Sequence, residues 1–172
     1  LHQKLALALL GLALLLAPAA CGSKGPPPPP KVGEWGWGQN MALRVQKVDT
    51  GPLLVYARDN KYWQLLAPEG QQFVMVWVDI LQKDAGTMQI NPVSERVELR
   101  DATDTKYTPI PITGGEVIES SPSGYYAPLF TEPVSLPPGN SISGWVAFVT
   151  PKGAALKELV WDEIDRITVR LS

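Results

Sequence analysis

The sequence predicts an all-β fold, an antiparallel β-sandwich, and three observations lead to this prediction. Several short segments alternate apolar with polar residues, as half-buried strands do. Many of the 17 prolines lie where these segments end, a position at which sheets tolerate proline. No window of helical length combines a 3.6-residue period with end caps. Short strands separated by Gly and Pro are typical of a sandwich.

Seven strands are predicted, in chain order, at residues 41–48, 53–56, 71–82, 95–100, 141–150, 156–161 and 166–171. The clearest is 71–82, where β-branched residues from Val74 to Ile80 occupy every second position and therefore share one face. Trp77 falls on the opposite face, which we expect to be the solvent side. Residues 154–163 are the best candidate for a helix, but their alternation favours a strand.

The N-terminal segment has the pattern of a secretory signal. An apolar run from Leu5 to Ala17 is followed by Pro18, two alanines and Cys21, the only cysteine. A charged start, an apolar stretch and a small-residue cleavage site characterise such signals, and the run is too short to span a bilayer. A cysteine directly after the small residues resembles a bacterial lipoprotein signal peptide. The open alternative is an ordinary secretory signal with an incidental cysteine.

The lipoprotein resemblance implies cleavage before Cys21, which would carry diacylglycerol on its sulfur and an acyl chain on its nitrogen. It also implies attachment to a membrane on its extracytoplasmic face, the outer membrane in a cell that has two. The predicted organisation is a signal peptide at 1–20, a lipidated Pro-rich tether at 21–31 and a sandwich domain at 32–172. Five consecutive prolines, Pro26 to Pro30, favour an extended polyproline II spacer within the tether.

Composition argues against several classes of function. The chain has 15 basic and 17 acidic residues and a single histidine, His2, inside the predicted signal. Without a basic patch we expect no nucleic-acid partner. Because the mature chain would contain no histidine, it can form no Ser-His-Asp triad, no Cys-His pair and no histidine metal site. We therefore expect a non-enzyme that needs no cofactor.

Four stretches carry a resemblance to a known family, namely residues 70–80, 90–92, 97–107 and 136–151. They resemble a bacterial and archaeal family of lipoprotein-borne domains of unknown function. That family has a fold similar to the mycobacterial immunoprotective extracellular antigen. The resemblance implies an immunoglobulin-like β-sandwich. It carries over no catalytic residues, because none are established for the family.

Aromatic side chains are the main candidates for ligand binding. Trp35 and Trp37 share a face if residues 34–38 are extended. Trp77, Tyr125 and Tyr126 complete the candidate set, since Trp and Tyr planes stack on sugar rings in sandwich domains that bind glycans. The alternative is that these aromatics fill the core or cover sheet edges. Loops carry function more often than strands do, so the irregular segment 112–133 is the preferred location for a site.

Carboxylates offer two further hypotheses. Asp84, Glu95, Asp101 and Asp104 are oxygen ligands of the type that calcium prefers, although residues 101–105 also have the composition of a solvated hairpin turn. A glycosidase pair could be drawn from the acidic residues of the irregular stretch, which are Glu116, Glu119 and Glu132. The sequence favours a non-catalytic module that binds a protein partner at the envelope, with glycan binding through tryptophans as the alternative.

Overall fold

The computed structural model describes residues 26–172, so the predicted signal peptide and Cys21 lie outside the described residues. This part of the chain folds into thirteen β-strands and contains no helix. Accordingly, nothing in residues 26–172 has the length and apolar character of a membrane-crossing helix. The strands are β1 (Trp35–Trp37), β2 (Met41–Gly51), β3 (Leu53–Arg58), β4 (Lys61–Leu66), β5 (Gln71–Gln82), β6 (Met88–Ile90), β7 (Val97–Asp101), β8 (Lys106–Tyr107), β9 (Glu116–Ile118), β10 (Val134–Leu136), β11 (Ser141–Pro151), β12 (Leu156–Asp162) and β13 (Arg166–Arg170).

Two antiparallel sheets form the sandwich. The central sheet has the order β1-β2-β5-β11, and the second sheet has the order β13-β12-β7-β8. Between them lies the main apolar core, to which β5 contributes Val74, Val76, Val78 and Ile80, all fully buried. The prediction of an all-β antiparallel sandwich is confirmed, and the seven predicted strands are present with small shifts at their ends.

A third layer covers part of the outer face of the central sheet. It is the hairpin sheet, with the order β3-β4-β9. Its Leu54 and Tyr56 pack on Phe73 and Met75 of β5 in a second apolar cluster. We had expected the face of β5 that carries Trp77 to be open to solvent. The hairpin sheet covers part of this face instead. Strand β5 is therefore buried on both faces in the part that carries Phe73 and Met75.

A two-residue turn joins β3 to β4 as an antiparallel hairpin. Asp59 and Asn60 both have positive φ, at 53° and 57°, which is the backbone of a two-residue hairpin turn with matching twist. The register then pairs Leu53 with Leu66 and Tyr56 with Trp63. Strand β4 was not predicted, although an Asp-Asn pair between two apolar segments is a recognisable hairpin signal.

Strand β11 forms one edge of the central sheet, and loop backbone covers the middle of that edge. Ile110 N donates to Ala147 O at 2.8 Å. Trp145 N donates to Pro128 O at 2.9 Å, and Phe130 N donates to Trp145 O at 2.9 Å. Residue 110 and residues 128–130 thus extend the central sheet without forming a regular strand.

Candidate functional site

The outer face of the central sheet carries a row of polar side chains beyond the area that the hairpin sheet covers. Strand pairing aligns Trp35 with Arg44, Arg44 with Asp79, and Asp79 with Ser143. Directly paired residues of antiparallel strands point to the same face, so these four side chains are neighbours. A bulge in β2 between Val45 and Lys47 places Gln46 beside the same row.

Asp79 is the centre of this row. Its Oδ2 accepts from Arg44 Nε at 2.9 Å, from Arg44 Nη2 at 2.7 Å and from Gln46. Its Oδ1 accepts from Ser143 Oγ at 2.7 Å and from Trp77 Nε1 at 3.2 Å. Only 5% of Asp79 is exposed. Its acceptor capacity is occupied by these neighbours, so its structural effect is to fix their orientations.

The hydrogen bonds also set the protonation state of Asp79. Burial alone would raise the pKa of this carboxyl, but the bonds from Ser143, Arg44, Gln46 and Trp77 together hold the pKa below its ordinary value. Asp79 is therefore a carboxylate at neutral pH. A low pKa and occupied oxygens are the opposite of what a general acid requires.

Aromatic rings continue the polar row in both directions. The Arg44 guanidinium lies 4.6 Å from the ring centroid of Trp35, and Trp35 and Trp37 lie 6.0 Å apart. On the other side, Trp77 and Trp145 meet edge to face at 5.2 Å. We call the set Trp35, Trp37, Arg44, Gln46, Trp77, Asp79, Ser143 and Trp145 the aromatic-polar strip.

The predicted aromatic residues divide between this strip and its border. Trp35, Trp37 and Trp77 lie on the outer face of the central sheet; Trp37 is 63% exposed and the other two are half-buried. Tyr126 is half-buried and packs on Trp145 at 4.9 Å. Tyr125 points elsewhere, to Tyr62 of the hairpin sheet at 5.0 Å. The structure brings the three predicted tryptophans into the strip, places Tyr126 at its border and leaves Tyr125 outside it.

Two open cavities flank the strip. One of about 250 Å³ lies over its polar row and is lined by Trp35, Arg44, Gln46, Asp79, Leu81, Ser141 and Ser143. The other, of about 420 Å³, lies between the central sheet and the irregular segment and is lined by Lys47, Asp49, Leu53, Val55, Ser123, Gly124, Tyr125, Tyr126 and Trp145. Sequence reasoning missed Arg44, Gln46, Asp79 and Ser143. Their signal is a polar residue on the outward face of an otherwise apolar strand.

The irregular segment 112–133 contributes packing as well as exposed groups. Ile112 is buried in the second apolar cluster, and Tyr126 N donates to Val55 O at 2.8 Å. Glu116 lies on β9 and accepts from Gln64 at 3.3 Å, whereas Glu119 and Glu132 are exposed in loops. The glycosidase hypothesis for these carboxylates stays an expectation, weaker than the binding hypotheses.

Residues 101–105, which the sequence offered as a calcium site or a hairpin turn, form the hairpin turn between β7 and β8. Asp101 accepts from Thr103 N at 2.9 Å, Thr103 Oγ1 at 2.7 Å, Thr105 N at 3.0 Å and Tyr107 Oη at 2.8 Å. Asp84 and Glu95 lie in other loops. Within residues 26–172, acidic, histidine and cysteine side chains form no group of three that could hold a metal ion.

Asp101 should make the stability of the domain depend on pH. Hydrogen bonds from Thr103 and Tyr107, followed by those from backbone N–H groups, lower its pKa to about 2. The unfolded value is about 3.9. A lowered folded pKa stabilises above the unfolded pKa, and this contribution is lost as pH falls through about 2. We expect Asp101→Asn to lower the melting temperature at pH 7, by an amount that shrinks in acid.

Thermal unfolding followed by circular dichroism between pH 7 and pH 2 tests this expectation. The matched control is Asp104→Asn in the same turn, because Asp104 is exposed and has a positive φ of 62° that asparagine tolerates. A difference between wild type and Asp101→Asn that stays constant over the whole pH range would contradict the assignment.

Comparison with known proteins gives the fold. No protein-family model matches the chain, and no curated protein matches it. The yjhA protein from Bacillus subtilis has a similar structure with a TM-score of 0.53 at 18% identity, over 83% of this chain and 99% of that one. The secreted protein MPT63 from Mycobacterium tuberculosis has a TM-score of 0.51 at 10% identity, over 85% and 98%.

A third similar structure belongs to ycdA, a candidate lipoprotein from Bacillus subtilis. Its TM-score is 0.52 at 15% identity, over 80% of this chain and 38% of that one. At such identities the likeness concerns the fold alone, which is the β-sandwich that the sequence predicted.

Proposed function

We propose that this chain is an envelope lipoprotein whose sandwich is a non-catalytic module that binds a protein partner outside the cytoplasm. Cys21 carries the lipid, and the prolines after it lead into the domain. The signal-like N-terminus supports this location. A fold shared with a secreted protein and with a candidate lipoprotein is compatible with it. The low pKa and occupied oxygens of Asp79 support a binding rather than a catalytic role.

The observation that carries the proposal is an apolar surface on the hairpin sheet. Leu53 pairs with Leu66 on its outward side, and these side chains are 42% and 72% exposed. Tyr125, which is 48% exposed, packs at a tilt against Tyr62 of this sheet, with the ring centroids 5.0 Å apart. Exposed apolar side chains gathered on one face are typical of protein interaction sites. We call Leu53, Leu66, Tyr62 and Tyr125 the hairpin patch.

Glycan binding is the second candidate, and the aromatic-polar strip favours it. Trp35 offers a half-exposed ring beside Arg44, Gln46 and Ser143, whose positions Asp79 fixes. A sugar hydroxyl both donates and accepts, so a row with amide, guanidinium and hydroxyl groups suits it. This candidate places the ligand on the central sheet rather than on the hairpin patch.

One crosslinking experiment tests the proposal and separates the two candidates. A photo-crosslinking amino acid is placed at Leu66, at Trp35, or at the control position Lys106, which is exposed on the second sheet. We expect a discrete protein adduct from Leu66 in intact cells, and none from Lys106. An adduct from Trp35 alone, removed by a cell-wall hydrolase, would replace the protein partner with a glycan. Equal yields at all three positions would contradict both.

A further inference from the structure

The chain enters the sandwich from one defined end. Lys31 and Arg170 form a parallel bridge, and Arg170 N donates to Pro30 O at 2.8 Å. Because the bridge is parallel, residues before Lys31 run back along β13 toward the turn that joins β12 to β13. Pro27 accordingly lines the same groove as Trp37 and Arg166. Four polyproline steps cover about 12 Å, so Pro26 lies roughly level with the start of β13.

That end of the domain is also where exposed apolar side chains project. Trp37 is 63% exposed at the end of β1, and Ile164 is 39% exposed in the β12–β13 turn. Hydrogen bonds join the β1–β2 turn to the β12–β13 turn. Asp165 accepts from Asn40 N at 2.6 Å and from Met41 N at 2.9 Å. We call Trp37, Ile164 and the adjacent Lys83 the tether-end surface.

Lys83 ties a third loop to this surface. Its backbone N donates to Asn40 O at 2.8 Å, and its Nζ donates to Gly38 O at 2.6 Å. The same Nζ lies 5.5 Å from the ring centroid of Trp37. The ring is therefore held in place from one side while most of its area faces solvent.

We propose that the tether-end surface rests on the headgroup layer of the membrane that holds Cys21. This inference rests on the lipidation in the proposed function. Pro26 is the fifth residue after Cys21, and five residues reach at most about 18 Å. The chain length therefore keeps Trp37 close to the bilayer. Strand β5 reaches this end with Gln82, so Gln71, at the start of the strand, lies about 37 Å away along the sheet.

Side-chain chemistry at this end fits a membrane surface. Tryptophan is enriched at the membrane–water interface, where its ring meets headgroups and its N–H stays hydrated. Among residues 26–172, the charges near Trp37 do not form a cationic cluster, since Arg166 pairs with Asp162 at 2.6 Å and Lys83 is the other cation beside the ring. We therefore expect Trp37 to dominate the contact, with little dependence on anionic lipid.

Fluorescence quenching by brominated lipid tests the contact. The full lipidated protein is reconstituted in phosphatidylcholine vesicles with or without bromine on the acyl chains. We expect brominated lipid to quench part of the tryptophan emission, and Trp37→Phe to reduce the quenched part several-fold. Trp63→Phe, in the hairpin sheet, is the matched control and should leave the quenched part unchanged. Ile164→Trp should increase it.

The outcomes separate this inference from the proposed function. The Cys21→Ser protein should not sediment with vesicles, whereas the wild-type protein should. Failure of the wild-type protein to sediment would overturn the anchoring and the contact together. Sedimentation with equal quenching in wild type and Trp37→Phe would overturn the contact alone. A crosslinked dimer through residue 37 would also overturn it, because a second copy would then cover this surface.

Discussion

Replacing Trp161 with alanine is expected to lower the free energy of unfolding by about 3–5 kcal/mol, the usual cost of emptying a buried tryptophan site. Trp161 is fully buried on β12, between Val97 of β7 and Ile167 of β13. Its side chain is part of the main core between the two sheets. Neighbours on the two flanking strands are held by the sheet and cannot move fully inward, so a cavity remains.

Equilibrium unfolding in urea measures this effect. Trp161→Phe keeps most of the buried area and should cost clearly less than alanine. The control is Trp37→Ala, whose side chain is mostly exposed and should change stability by no more than about 0.5 kcal/mol. Similar losses for Trp161→Ala and Trp37→Ala would contradict the assignment of Trp161 to the core.

Asp79→Ala is expected to lower the free energy of unfolding by about 2–3 kcal/mol, because it leaves a partly buried cation and several donors without their acceptor. The Arg44 side chain is 30% exposed, so water compensates part of the loss and the cost stays below that of a fully buried pair. Asp79→Asn retains one acceptor oxygen and should cost less. The loss should diminish in acid, because the pKa of Asp79 is lowered in the fold.

A double-mutant cycle with Arg44→Ala isolates the pair. Unfolding in urea is preferable to guanidinium, since a salt would screen the charges. If Asp79 and Arg44 stabilise each other, the double variant should be more stable than the sum of the single losses predicts. Strict additivity would show that the two side chains contribute independently.

The fold could be predicted from the sequence because alternation is a local signal. In residues 71–82, β-branched residues at every second position predict a strand, and the structure has one there. Alternation also predicted the strand at 156–161, which is β12. Strand β4 was not predicted, because the adjacent aromatic residues Tyr62 and Trp63 lie on opposite faces and interrupt the alternation of apolar and polar residues. The partial burial of Trp77 was not predicted either, since it depends on where the hairpin sheet packs.

The polar part of the site could not be predicted because it depends on strand register. Arg44 and Ser143 are separated from Asp79 by 35 and 64 positions in the chain. Only the pairing of β2, β5 and β11 brings them together. By contrast, the shared face of Trp35 and Trp37 follows from a spacing of two, which the sequence states directly.

The loop backbone that covers the edge of β11 has a consequence for crowding. A long strand at a sheet edge offers unpaired N–H and C=O groups on which another chain can add a strand, which leads to aggregation. Here Ile110, Pro128 and Phe130 occupy the middle of that edge with backbone hydrogen bonds. If the chain is anchored in a membrane as proposed, its copies would meet often on that two-dimensional surface, and this cover leaves the middle of the β11 edge closed to strand addition.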